Sequence, residues 1–135
     1  MILLDTDILL DVALDREPHA EASIALLELL ERRPRMAFVA WHTVANFFYL
    51  VRPASGAEQT RDFLVDLTGF VAVASSSTAD LRFAASLPLP DLEDAMQVAA
   101  ARACGAQYIA TRNVKDFRKS PVPARTPAQL LEELA

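Results

Sequence analysis

Cysteine is nearly absent. The 135 residues include one, Cys104, which excludes an internal disulfide and suits a reducing cytoplasm. Gly105 follows it at an expected helix end, so Cys104 reads as a small core residue rather than a reactive thiol. The two histidines, His19 and His42, have no metal-ligand spacing between them and read as structural or solvated groups. No apolar run is long enough to span a bilayer. The opening MILLDTDILLD lacks a basic segment and meets an acid at once, which argues against a secretory leader. Positive charge is also in deficit, with 13 Lys and Arg against 18 Asp and Glu for a net charge of −5. Proteins that grip nucleic acid mainly through phosphate contacts are usually basic. Any such contact here has to be local, helped by a metal, or supplied by an oligomer.

Linkers, repeats and low-complexity tracts are missing too, so residues 1–135 are expected to form one domain with one core. Apolar residues make up 53% of the chain, enough to exclude disorder. Their arrangement alternates between strand and helix patterns. MILLD, MAFVA, FVAVA and QYIA read as short buried strands, and a fifth, at the sheet edge, is expected between Pro121 and Pro123. Between them, TDILLDVAL, residues 17–33, WHTVANFFYLVR, SGAEQTRDFLVDLT, STADLRFAASL and DLEDAMQVAAARAC read as helices. TPAQLLEELA closes the chain with Thr126 as N-cap and Pro127 at the first helical position. In 17–33, Ala20, Ile24, Leu27 and Leu30 or Glu31 follow the helical period. In WHTVANFFYLVR, Val44, Phe47, Phe48 and Leu50 or Val51 are expected to face inward. The aromatics Trp41, Phe47, Phe48 and Tyr49 read as core or dimer interface rather than a base-stacking platform. Alternation of this kind implies an α/β fold, with a mostly parallel sheet of four to five strands covered on both faces.

In such sheets ligands bind beyond the carboxyl ends of the strands, and the acids collect there. Asp5 ends MILLD and Asp7 follows it. Asp116 lies just past QYIA. The helix of PDLEDAMQ runs into QYIA and must therefore start at the same edge, carrying Asp91, Glu93 and Asp94. On a helix, positions 91 and 94 share a face, while 93 points about 100° away from 94. Local roles exist for each acid. Asp91 is the best N-cap, with Asp94 as its capping partner. Asp116 and Asn113 suit a plain turn, Glu93 and Asp7 suit solvated charges, and Asp11 reads as a surface acid one turn deeper. Capping does not explain three acids from distant segments on one rim. Gathered carboxylates repel and raise each other's pKa unless a cation neutralises them, and an all-oxygen donor set suits Mg²⁺ or Mn²⁺. Such an ion polarises phosphoryl oxygens and activates water, the chemistry of phosphodiester hydrolysis. Arg112, Lys115, Arg118 and Lys119 surround Asp116, where a phosphate backbone would need them. Thr6, Thr111, Arg112 and Asn113 are the candidate substrate contacts.

LLDTDILLD, DLEDAMQ and ATRNVKDF, in this order and spacing, resemble the signature blocks of PIN-domain ribonucleases. Within that family the chain is most similar to the VapC-type toxins of bacterial toxin–antitoxin pairs, along nearly its whole length. The resemblance implies a doubly wound α/β/α domain, a Mg²⁺ or Mn²⁺ cofactor and endoribonuclease activity on RNA. It also implies a homodimer and a small antitoxin protein as partner. The family's acids fall on Asp5, Asp94 and Asp116, with Asp91 as an outer ligand. One position departs: where the family commonly has Glu, WHTVANFFYL has Asn46, whose amide oxygen can bind a cation but carries no charge. Asp7, Asp91 and Glu93 are the candidates to compensate. Two other functions stay open. DTDIL also resembles the start of haloacid-dehalogenase-type phosphatases, with Asp5 as nucleophile and Asp7 as general acid, although only Lys115 and Lys119 could serve as their lysine. The other is a catalytically silent module that binds RNA or a protein.

Overall fold

The computed structural model describes residues 1–135. Strands β1 (Ile2–Leu4), β2 (Ala37–Val39), β3 (Val71–Val73), β4 (Tyr108–Ala110) and β5 (Ala124–Arg125) alternate with helices. These are α1 (Thr6–Ala13), α2 (Ala20–Glu31), α3 (Trp41–Ser55), α4 (Ala57–Leu67), α5 (Thr78–Ser86), α6 (Leu92–Ala103) and α7 (Pro127–Leu134). A 3-10 turn, Val114–Phe117, follows β4. The strands form one five-stranded sheet in the order β3-β2-β1-β4-β5, and every pairing is parallel.

The alternation of side chains along β1 explains the layers. Ile2 and Leu4 point to one face, where they pack with Leu26, Leu30, Phe47, Val51 and Leu130 of α2, α3 and α7. Leu3 points to the other and joins Ile109, Val98, Ala101 and Phe117. A strand buried on both faces reads as an unbroken apolar run, as ILL does. Helix α6 buries Ala95, Ala99, Ala100 and Ala101, and side chains this small let its backbone approach the sheet closely. It stops where Gly105 takes φ +71°, a conformation that favours glycine.

Two expectations shift. The edge strand lies after the prolines, at Ala124–Arg125, not between them. Proline has no N–H for the ladder, and only the carbonyl of Pro123 is used, accepting from Ile109 N at 3.0 Å. On α3 the buried residues are Thr43, Phe47 and Val51, with Phe47 stacked on Phe63 at 4.9 Å. Leu50 turns outward, and Trp41 and Tyr49 stand 65% and 68% exposed, so neither belongs to the core. No helix is long and apolar enough to cross a membrane.

The sheet order puts the point where the chain reverses direction between β1 and β4. From β1 it winds outward through β2 and β3, then crosses to β4 and β5. The crevice at such a point is where open α/β sheets bind ligands.

Candidate active site

Asp5 leaves β1 at that crevice. Its N–H donates to Ala110 O at 2.9 Å, tying the ends of the two central strands together. Asp5 is also the N-cap of α1 and accepts from Thr6 N at 2.8 Å through Oδ1. The same oxygen accepts from Gln97 Nε2 at 3.1 Å, and Oδ2 accepts from the Thr111 hydroxyl at 2.9 Å. Asp7, in the first turn of α1, accepts at Oδ2 from Arg112 N (3.0 Å) and Asn113 Nδ2 (3.3 Å), and Thr111 Oγ1 lies 3.2 Å away. Asn113 N donates to Thr111 Oγ1 at 3.1 Å. The one proton of that hydroxyl can therefore serve Asp5 or Asp7, not both. Two carboxylates compete for one donor.

The remaining acids come from the start of α6 and the 3-10 turn. Asp91 is the N-cap of α6, accepting from Glu93 N at 2.8 Å and Asp94 N at 3.2 Å through Oδ1 alone. Asp94 does not close a capping box, contrary to expectation. Asp91, Asp94 and Asp116 line one pocket of about 440 Å³ together with Lys115, Arg118 and Lys119. Cations and carboxylates thus share a wall, an arrangement that suits a ligand bearing phosphates beside a bound cation.

Burial and mutual repulsion act on these acids. Burial, then the charge of Asp7, lifts the Asp5 carboxyl to about 7, against the opposing hydrogen bonds of Thr111 and Thr6. Asp7 is raised by burial, a rise opposed by its bond from Arg112 N. Asp94 is pushed up to about 6 by burial and by the charges of Asp91, Asp116, Glu93 and Asp7. A fold that raises a carboxyl's pKa takes up protons on folding, so its stability falls as pH rises from the ordinary carboxylate value to the raised one. The protein in EDTA is expected to melt at a lower temperature at pH 8 than at pH 5, with most of the loss between about 4 and 7. A melting temperature that climbs across this range would contradict the repulsion described.

All-oxygen donors are the ligand type of Mg²⁺ and Mn²⁺. No three His, Cys, Asp or Glu side chains close into a ready cage, so the site is open. Asp7 Oδ1 is buried without a hydrogen-bond partner, a defect that a cation would relieve. In charge and donor type the residues fit such an ion.

Asp5, Asp94 and Asp116, the acids singled out from sequence, lie within electrostatic reach of one another through Asp94. Asn46 is half-buried on α3, three residues beyond Thr43 and so on the same side of the helix. Arg112 Nε is held by Asp11 Oδ2 at 2.7 Å, and 26% of the Arg112 side chain stays exposed. Other expectations are corrected. Asp11 is no surface acid but 0% exposed. Thr6 and Thr111 are buried, with their hydroxyls bonded to Thr43 and to the carboxylates. Asn113 is exposed and bonded to Asp7, and Asp7 is part of the cluster rather than a solvated charge. Two residues escaped the sequence reading. Gln97, fully buried, donates to Asp5 and to Thr43 Oγ1, and Thr43 is itself fully buried. Gln97 had a signal, as the lone polar residue in the buried run AMQVAAA.

The fold and the chain's similarities agree. At TM-score 0.71, the chain resembles a protein in the crystal structure of VapBC2 from Rickettsia felis bound to a DNA fragment from their promoter. The two are 20% identical over 93% of this chain and 98% of that one. A chain of a toxin–antitoxin complex from Klebsiella pneumoniae matches at TM-score 0.70 and 23% identity, over 94% of this chain and 98% of that one. The sarcin-ricin loop cleaving toxin VapC20 of Mycobacterium tuberculosis matches at 0.65 and 15%, over 81% and 87%. No curated protein matches the chain. The family model described as PIN domain matches residues 1–115, and the chain belongs to that family.

Proposed function

We propose that this chain is a Mg²⁺- or Mn²⁺-dependent endoribonuclease and the toxin of a toxin–antitoxin pair, with residues 1–135 acting as one domain. The observation that carries this reading is the gathering of Asp5, Asp7, Asp94 and Asp116 at the β1/β4 crevice, with Lys115, Arg118 and Lys119 on the same pocket. Similarity to the VapC20 toxin and to the Klebsiella toxin–antitoxin complex supports it. Asp5, Asp94 and Asp116 would hold the cation, with Asp91 at its margin and Asn46 as a neutral oxygen donor. A bound divalent ion supplies Lewis acidity toward a phosphodiester and its attacking water. The chain's own residues do the rest. Lys115, Arg118 and Lys119 bind the flanking phosphates. Thr111, Gln97 and Thr6 N hold Asp5 in one orientation, and Asn113 with Arg112 N holds Asp7. The partners are RNA, a small antitoxin and a second copy of the chain.

The test is calorimetric titration of Mn²⁺ and Mg²⁺ into the wild type and Asp94→Asn, alongside cleavage of a labelled RNA. The substitution is expected to weaken cation binding at least about tenfold and to stop cleavage. Cleavage by wild type in excess EDTA, or unchanged affinity in the variant, would overturn the reading. The open carboxylate arrangement and Asn46 favour a second reading, a module that binds RNA without cutting. Its signature is equal RNA binding by both forms with no cleavage by either.

A further inference from the structure

Gln97 is the one polar side chain among the buried residues of α6, the others being Ala95, Val98, Ala99, Ala100 and Ala101. It is 0% exposed. A buried amide is unfavourable unless its groups are bonded, and an apolar residue of this length would fill the same space. The reason for an amide lies in its neighbours. Nε2 lies 2.9 Å from Thr43 Oγ1, 3.1 Å from Asp5 Oδ1 and 3.4 Å from Thr6 Oγ1. Its two N–H bonds are accounted for by Thr43 and Asp5. The acceptor-only carboxylate fixes which end of the amide faces it, since the reversed amide would set oxygen against oxygen. Gln97 Oε1 is then left buried with no partner. That unpaired oxygen costs stability, so the two donor bonds are what the amide contributes.

We infer that Gln97 is the positioning residue of the site: through one amide nitrogen it fixes the Asp5 carboxylate relative to Thr43, and so sets α3, with Asn46, against the acids brought by α1 and α6. The inference deepens the proposed nuclease site and rests on that reading for its metal arm. Its geometric arm does not. Thr43 is the relay, because its hydroxyl is shared with Thr6 at 3.2 Å. Without the amide, Asp5 keeps Thr6 N and Thr111 but loses the bond that relates it to α3.

The experiment uses the full chain and Gln97→Met, an unbranched substitution of similar length. In EDTA, urea unfolding of wild type, Gln97→Met, Asp5→Asn and the double variant forms a cycle. At pH 8 the shift in midpoint caused by Gln97→Met is expected to shrink in the Asp5→Asn background, because the acceptor of the Gln97 bond is then neutral rather than charged. Additive shifts would overturn the inference. Calorimetry with Mn²⁺ is expected to show about tenfold weaker binding by Gln97→Met, and kcat for RNA to fall while KM holds. Unchanged Mn²⁺ affinity beside a wild type that binds would also overturn it. Should Gln97→Met not fold, Thr43→Val removes the relay and is expected to shift Mn²⁺ affinity in the same direction. If wild type binds no cation and cuts no RNA, the nuclease reading fails, and the cycle alone still decides whether Gln97 holds Asp5.

Discussion

Asp5→Asn is expected to abolish RNA cleavage, by roughly a thousandfold or more, and at the same time to stabilise the protein in EDTA at pH 8. The two effects share one cause. Asp5 is buried beside Asp7 and within reach of Asp94, and its carboxyl is lifted to about 7. Above that pH the fold must hold a charge it disfavours, and a neutral amide removes the strain. The substitution also fits the existing bonds. Its oxygen can still accept from Thr6 N and Gln97 Nε2, and its N–H can donate to Thr111 Oγ1. The Thr111 proton is then free for Asp7, which ends the competition. The gain is expected to be on the order of 1 kcal/mol at pH 8. It should vanish below about pH 4, where both forms are neutral. Such trades of stability for activity are common at functional sites. Melting curves at pH 4 and pH 8, paired with cleavage assays, provide the check. A variant that still cuts RNA would remove Asp5 from the chemistry, and one that melts lower at pH 8 would contradict its electrostatics.

Arg112→Ala is expected to destabilise the fold by about 3–5 kcal/mol, and Asp11→Ala by roughly half as much. The asymmetry follows from exposure. Asp11 is wholly buried, while the Arg112 side chain keeps 26% of its surface. Removing Arg112 strands a carboxylate whose Oδ1 already lacks a partner. Removing Asp11 leaves a guanidinium that water can still reach. The double variant is therefore expected to be more stable than Arg112→Ala alone, because the stranded charge has gone. Urea unfolding of the three variants would settle the order, and a larger loss in Asp11→Ala would reverse the account. The pair also has a positional role. Arg112 N bonds to Asp7, so the ion pair anchors the segment after β4, and with it Lys115 and Asp116, onto α1.

The fold was largely legible because its signals are local. ILL, AFV and YIA are apolar runs too short for helices, and the amphipathic segments between them keep the helical period. Where the reading slipped, the deciding partner lay far along the chain. Asp11 looks like a surface acid until Arg112, 101 residues later, folds onto it. Nothing near Thr111 in the chain shows that its hydroxyl meets Asp5 and Asp7, more than a hundred residues away. Trp41 and Tyr49 read as core or dimer interface, and the core half of that reading fails because Thr43, Phe47 and Val51 already fill the inner face of α3.

By itself, the sequence determined the alternation of strands and helices, and hence a parallel sheet with one edge on which Asp5, Asp94 and Asp116 had to gather. Periodicity and strand direction are properties of neighbouring residues, and they need no knowledge of distant contacts. Only the tertiary structure decided what each polar group at that edge does. Hydrogen bonds and ion pairs depend on distances set to within a few tenths of an ångström between segments about a hundred residues apart, such as the 3.1 Å from Gln97 to Asp5 and the 2.7 Å from Arg112 to Asp11.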